Sequence, residues 1–180
     1  MKEVRENMAP DDDETHRFSA VDFRKCLGEF VTGVTVITTV GQDGVSYGTT
    51  VNSFTSLSLD PPLVLWCMRL NASAFPIYSN ATRVGINILA EDQLDISNRF
   101  AKSGVDRFKD VETRRGSGGV PLIEGCVAQL ECQYEHTYPG GDHVVFVCRV
   151  EKIHSFPRKP LALGRGKYSS VLELKPAACN

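Results

Sequence analysis

The residues best equipped for chemistry lie in one uncharged stretch, Tyr47-Gly48-Thr49-Thr50-Val51-Asn52-Ser53-Phe54-Thr55-Ser56-Leu57-Ser58-Leu59-Asp60-Pro61-Pro62. Thr49, Thr50, Ser53, Thr55, Ser56 and Ser58 supply hydroxyls, Asn52 supplies an amide, and no charge appears until Asp60. Together with strand-end N–H groups they make a neutral hydrogen-bonding surface. Such a surface suits a ligand rich in carbonyl, ring-nitrogen and hydroxyl groups, for example an isoalloxazine with its ribityl chain. A hydroxyl-rich edge strand and turn accounts for the same residues without any ligand. The second candidate is His143, in Pro139-Gly140-Gly141-Asp142-His143. Its glycines permit a tight turn that brings the imidazole over the mouth of a barrel. An exposed loop histidine is the plain alternative.

Other familiar chemistry is missing. Lys167 follows Gly166, but Leu161 stands where the first glycine of a phosphate-binding loop belongs, and no Gly-x-Gly-x-x-Gly joins a strand to a helix. Gly116-Ser117-Gly118-Gly119 precedes a proline and reads as a flexible loop. His16, His136, His143 and His154 have no ligand-like spacing with one another or with cysteines, so no metal is expected. A Gly-x-Ser-x-Gly nucleophile elbow is absent as well. Arg107 and Phe108 fit a surface charge and an anchor, and the guanidinium alternatively suits a phosphate.

The elements that must position these groups are mostly strands. One helix comes first, from about Ser19 to Val31, with Ser19 as N-cap, Asp22 as its capping-box partner and Phe18 and Phe23 as a hydrophobic staple. Phe23, Leu27, Phe30 and Val31 share a face, and Gly33 ends the helix. Strands follow at Val34–Val40, Val45–Val51, Leu63–Met68 and Arg83–Leu89, the first two joined by an Asp43-Gly44 turn. Short helices fit Asn71–Asn80 and Glu91–Ala101. Ser103–Gly119 has no sustained period and reads as a long connection. Leu122–Tyr138 and Asp142–Phe156 form a hairpin around Pro139-Gly140-Gly141. Turn-joined neighbours predict a mainly β fold with flanking helices, an antiparallel barrel of about six strands.

The 180 residues carry 20 Lys+Arg against 22 Asp+Glu, a net charge of -2, with 42% hydrophobic and 23% charged residues. That fits one domain with one core. The polar segment 1–17 is expected to be a disordered tail, 18–174 the folded domain, and 175–180 a second tail. The charge balance excludes the broad basic footprint of a nucleic-acid binder and gives no reason to expect a membrane surface as partner. The longest clearly apolar run, Leu63–Met68, is far short of a membrane span, and the N-terminus lacks a secretory signal's apolar stretch. A cytoplasmic location, with the six cysteines reduced and mostly buried, is the expectation.

The Thr49–Ser58 segment resembles the signature of the short-chain flavin reductases, the reductase components of two-component flavin monooxygenases. Four further stretches agree in order and spacing: Phe30-Val31-Thr32-Gly33 running into Val34–Thr39; Asn87-Ile88-Leu89 with Gln93, Ser97 and Phe100-Ala101; Gly119-Val120-Pro121-Leu122-Ile123; and Gly140-Gly141-Asp142-His143 before Val145-Phe146-Val147. Tyr168 stands where the family has a late tyrosine. The likeness spans roughly Phe18 to Leu174, and Cys148 departs from it at a place where the family often has glycine.

The resemblance implies an FMN-binding split β-barrel, a homodimer, and NADH- or NADPH-dependent reduction of FMN or FAD for a partner monooxygenase. Thr49, Thr50, Asn52, Ser53, Ser56 and Ser58 would line the flavin ring and ribityl chain. Ser73 would lie near the phosphate, and Ser97 and Phe100 near the flavin tail. His143 would border the nicotinamide as the catalytic candidate, with Tyr168 and the Gly33 turn close by. A flavin-holding electron carrier or sensor on the same fold, without NAD(P)H turnover, is the alternative reading. A flavin-free β-barrel interaction module is a third.

Overall fold

The computed structural model describes residues 18–174. The two expected tails, 1–17 and 175–180, lie outside the described residues. Ser19 caps α1 (Ala20–Gly28): its Oγ accepts the Asp22 N–H at 3.1 Å and its hydroxyl donates to Asp22 Oδ2 at 2.7 Å. Phe18 and Phe23 meet with ring centroids 5.3 Å apart, as a staple requires.

The helix stops earlier than expected. Gly28 and Glu29 end it, and Thr32–Gly33 becomes strand β1, paired Gly33 to Ala162. Gly33 is therefore a strand residue and not the helix stop, because a ladder formed far along the chain overrides local propensity. No residue of α1 is buried. Phe30 and Val31, past its end, are 77% and 59% exposed. What fixes α1 is its C-terminal end: the Arg165 N–H donates to Gly28 O at 2.7 Å, and the Arg165 guanidinium pairs with Glu29 at 2.7 Å.

The main sheet has seven antiparallel strands, not about six. In chain order they are β2 (Thr35–Val40), β3 (Ser46–Val51), β4 (Thr55–Leu59), β5 (Pro62–Arg69), β6 (Arg83–Ile88), β9 (Ala128–Gly140) and β10 (His143–Ser155). Between them come α2 (Phe75–Asn80), α3 (Leu94–Ala101) and the small β7–β8 sheet (Thr113–Arg115, Pro121–Ile123). β11 (Leu161–Gly164) and β12 (Lys167–Ser170) join β1 in a third sheet. The extra strand is β4, drawn from the hydroxyl-rich segment. β11 and β12 are too short to show a period.

The strand order is β3-β2-β6-β9-β10-β5-β4, so the two edges, β3 and β4, are consecutive in the chain. Only Asn52–Phe54 separates them, and Val51 to Thr55 reaches at most about 14 Å. A flat seven-stranded sheet would hold its edges roughly 29 Å apart. The sheet must therefore curl until its edges approach, leaving a split between them. Register shifts at Val147/Cys148 and Val150/Lys152 in the long β9–β10 hairpin bend it that way. That hairpin turns on Gly141-Asp142, with Gly141 at φ +64°, while Pro139 and Gly140 remain in β9. The turn sits later than expected because Gly141 takes the positive φ of a two-residue loop.

Inside the curl pack Ile37, Val64, Trp66, Val84, Ile86, Phe146 and the fully buried Cys148. Trp66 and Phe146 stack with centroids 4.6 Å apart. Outside, α3 lays Phe100 over β2 and β3 with Val34, Val36 and Leu89. A further polar anchor ties the β7–β8 connection to the barrel. Glu131, 2% exposed, accepts the Ser117 N–H at 2.6 Å and contacts His154 Nε2 at 2.9 Å. Burial opposes its charge, but those bonds and the nearby Lys152 ammonium overcome burial and hold the carboxyl down at about 2.

Candidate active site

The hydroxyl-rich segment lines both margins of the split, and the alternation of strands sorts its side chains. Val36 stands opposite Thr50 and Ile37 opposite Thr49. Ile37 belongs to the barrel core, Val36 to the cluster under α3. Thr49 and Thr50 therefore point to opposite faces of β3. Thr50 Oγ1 donates to Ser97 O on α3 at 2.7 Å. Ser97 Oγ lies 2.9 Å from the Tyr168 hydroxyl on β12. One hydrogen-bonded row thus joins Thr50, Ser97 and Tyr168 from three elements, and Gly33 lies across β11 from Tyr168's neighbour Ser169.

Phe100 supports that row from below. A Cβ on Gly48 would sit 2.4 Å from its ring. Phe108 meets Phe100 edge-on at 5.0 Å, and the Arg107 guanidinium donates to Gly48 O at 2.6 Å and to Lys102 O at 2.8 Å. Arg107 is thus engaged by backbone carbonyls, covering the outer edge of β3. Gly33 differs: a Cβ there meets nothing within 4 Å, so open space lies over it.

A second group gathers on β4, β5 and β10. Ser53 Oγ accepts the Cys67 N–H at 2.9 Å and donates to Cys67 O at 3.1 Å, bridging the linker to β5. Val64, Trp66 and Met68 face the core, so Leu63, Leu65, Cys67 and Arg69 share the outer face of β5. Cys67 is opposite Val145 and Arg69 opposite His143. Burial pushes the Cys67 thiol up. His143 Nδ1 lies 2.6 Å from Asp142 Oδ1, and this hydrogen bond holds the Asp142 carboxyl below the usual range. Ser73, exposed in the turn after β5, lies at the same end, where the Leu70 N–H donates to Asp142 O at 3.0 Å.

Asn52, Ser56 and Ser58 make no side-chain hydrogen bond among the described residues, nor does Thr49, and Asn52 and Ser56 are exposed. Ser58, opposite Leu63, shares the outer face with the half-buried Leu65, Cys67 and Val145, whereas Thr49, opposite Ile37, and Ser56, opposite Val64, stand on the core side of their strands. The unspent Asn52 and Ser58 groups beside that apolar strip fit a flat heterocycle bearing carbonyls and hydroxyls. The two described cavities, of about 510 and 370 Å³, lie elsewhere: one by the β2–β3 turn and α2, the other by Ala90–Asp92 and Pro157–Lys159. Asn52, Ser56 and Ser73 lie on open surface instead, whereas Ser97 and Phe100 are fully buried. Sequence reasoning passed over Cys67 and Arg69. The Leu63–Met68 strand carried the signal for Cys67, but only the β5–β10 register puts Arg69 beside His143.

A curled antiparallel sheet with a hydroxyl-lined split is the architecture of solved flavin reductases of the split-barrel type. The family model described as flavin reductase like domain matches residues 27–172, and the chain belongs to that family. A probable flavin reductase of Rhizobium meliloti (strain 1021) is 40% identical over 145 residues, 81% of this chain and 47% of that protein, so the chain spans about half its length. The FMN reductase (NADH) SmoA of Agrobacterium fabrum (strain C58 / ATCC 33970) is 40% identical over 146 residues, covering 81% and 83% of the two chains. The reductase subunit HsaB of a flavin-dependent monooxygenase from Mycobacterium tuberculosis (strain CDC 1551 / Oshkosh) is 39% identical over 152 residues, covering 83% and 81%. Among solved structures, the NADH:FAD oxidoreductase SgcE6 of Streptomyces globisporus C-1027, in complex with NAD and FAD fragments, superposes with TM-score 0.79 at 36% identity, covering 88% of this chain and 94% of that one.

Proposed function

We propose that this protein is an NAD(P)H-dependent flavin reductase that supplies reduced FMN or FAD to a partner monooxygenase. The observation that carries the reading is the split itself: its margins carry unspent groups at Thr49, Asn52, Ser56 and Ser58, with Ser58 on the apolar outer face, in a chain of the flavin reductase family. When bound, the flavin supplies the hydride acceptor and the reduced nicotinamide the hydride. The chain's own part is orientation more than acid–base chemistry. Asn52, Thr49, Ser56 and Ser58 would hold the flavin's polar atoms. Thr50, Ser53, Ser97 and Phe100 brace the strands that carry them. His143, fixed by Asp142 at 2.6 Å, would orient the nicotinamide, with Gly33 and Tyr168 bordering the same space. The open face suits a flavin that is exchanged rather than kept.

A homodimer belongs to this reading. A helix as short as α1 is marginal alone, and no residue of this one is buried. Phe23, Leu27, Phe30 and Val31 offer an apolar surface for a second copy, which would also close the open face. Among the described residues no helix is long and apolar enough to cross a membrane. Cys26, Cys67, Cys126, Cys132 and Cys148 are free thiols, which supports a cytoplasmic setting. The test is a fluorescence titration of flavin-stripped protein with FMN and FAD, followed by anaerobic addition of NADH. Bleaching of the bound flavin supports the reading. Bound flavin that neither NADH nor NADPH reduces would move the protein to the electron-carrier class.

A further inference from the structure

We infer that Arg69 is an anion-binding residue of this site, whose guanidinium takes a phosphoryl group of the bound cofactor. The inference rests on the flavin reductase reading and adds a residue to it. Arg69 ends β5, exposed, on the same outer face as Cys67 and directly opposite His143. Its side chain makes no hydrogen bond or ion pair among the described residues, unlike Arg83, Arg114, Arg149, Arg158 and Arg165, which pair with carboxylates. Asp142, whose carboxyl the Arg69 charge helps to lower, has its hydrogen bond with His143 and forms no ion pair with Arg69. Beyond Arg69 the chain bends back, with the Ala72 N–H donating to Arg69 O at 3.1 Å, and carries Asn71 and Ser73 exposed. An unpaired guanidinium, an amide and a hydroxyl thus stand at one end of a half-buried strip formed by Leu65, Cys67 and Val145. That pairing of an apolar floor with a cationic end fits a planar ring joined to a phosphate, and a guanidinium is the donor that matches phosphate oxygens two at a time.

Two groups share that chemistry: the flavin's phosphate and a phosphate of the pyridine nucleotide. Arg69→Gln and Arg69→Lys separate them, and both should fold, since the side chain holds nothing in place. The readouts are fluorescence Kd values for FMN and for riboflavin, which lacks the phosphate, and KM for NADH and NADPH. If the flavin phosphate is bound, Arg69→Gln raises the FMN Kd about tenfold, leaves riboflavin unchanged, and Arg69→Lys recovers part of the loss. If the nucleotide phosphate is bound, the KM for NADH or NADPH rises by a similar factor and both flavin Kd values hold. Equal weakening of FMN and riboflavin, or no change in any of the four constants, overturns the inference. Wild-type protein that binds no flavin at all would defeat the underlying reading, and that result appears before any variant is made.

Discussion

Ser53 Oγ both accepts from Cys67 N at 2.9 Å and donates to Cys67 O at 3.1 Å, so one side chain fills the place of a strand residue beside β5. The bridge starts β4 and fixes the linker that carries Asn52. Ser53→Ala should leave a part-buried N–H and C=O poorly matched, at about 1–2 kcal/mol. Thermal melting is expected to show a Tm lower by roughly 2–8 °C. An unchanged Tm would mean that water replaces the hydroxyl fully.

Asn52→Ala tests the opposite property. The amide is exposed and unbonded among the described residues, so stability should stay within about 0.5 kcal/mol of the parent. Flavin Kd should rise roughly threefold to tenfold, the worth of one hydrogen bond. Titration beside melting separates loss of a ligand contact from loss of fold.

Gly48→Ala should be among the most damaging single changes. Its Cβ would lie 2.4 Å from a Phe100 ring already fixed edge-on to Phe108, so the ring or β3 must move. A cost of about 1–3 kcal/mol is expected by chemical denaturation. Trimming the ring in a Gly48→Ala, Phe100→Leu double variant should restore part of it.

These effects show where local sequence carries information and where it does not. The β-branched run Val34–Val40 and the alternating Arg83–Leu89 segment announce β2 and β6 directly. Ser19 with Asp22 announces the start of α1. Nothing local shows that no residue of α1 is buried, because burial depends on how distant elements pack. β4 was hidden because hydroxyl residues serve equally well in an edge strand and in a ligand contact. The Thr49–Ser58 segment was legible as a unit, yet its division into bracing and unspent side chains was not. That division follows from β2–β3 register and from where α3 docks. The proximity of Arg69 and His143 likewise exists only through pairing of strands far apart in sequence.

Acid stability should depend on Glu131. Its carboxyl sits at about 2 in the folded protein against an ordinary 4.5, so folding favours the ionised form. The stabilisation is complete above the ordinary value and is lost as pH falls from about 5 toward 2, amounting to about 3 kcal/mol at most. Urea midpoints of the parent should drop across that range. Glu131→Gln should be less stable at neutral pH and show a flatter acid limb; a parallel limb would assign the acid sensitivity to other carboxylates.

His143→Ala should lower kcat/KM for NAD(P)H roughly threefold to tenfold while flavin Kd changes little, since the imidazole orients and hydride transfer takes no proton from it. A loss of several orders of magnitude with flavin still bound would give His143 a direct part in the chemistry. An unchanged rate would return it to the exposed turn.

The most direct measurement is the rate of NADH and NADPH oxidation by flavin-stripped protein, with FMN, FAD and riboflavin added in turn. A rate that is negligible without flavin and rises saturably with FMN or FAD is the predicted result. Nucleotide oxidation that none of the three flavins stimulates, at concentrations where flavin binding is demonstrated, would contradict the account.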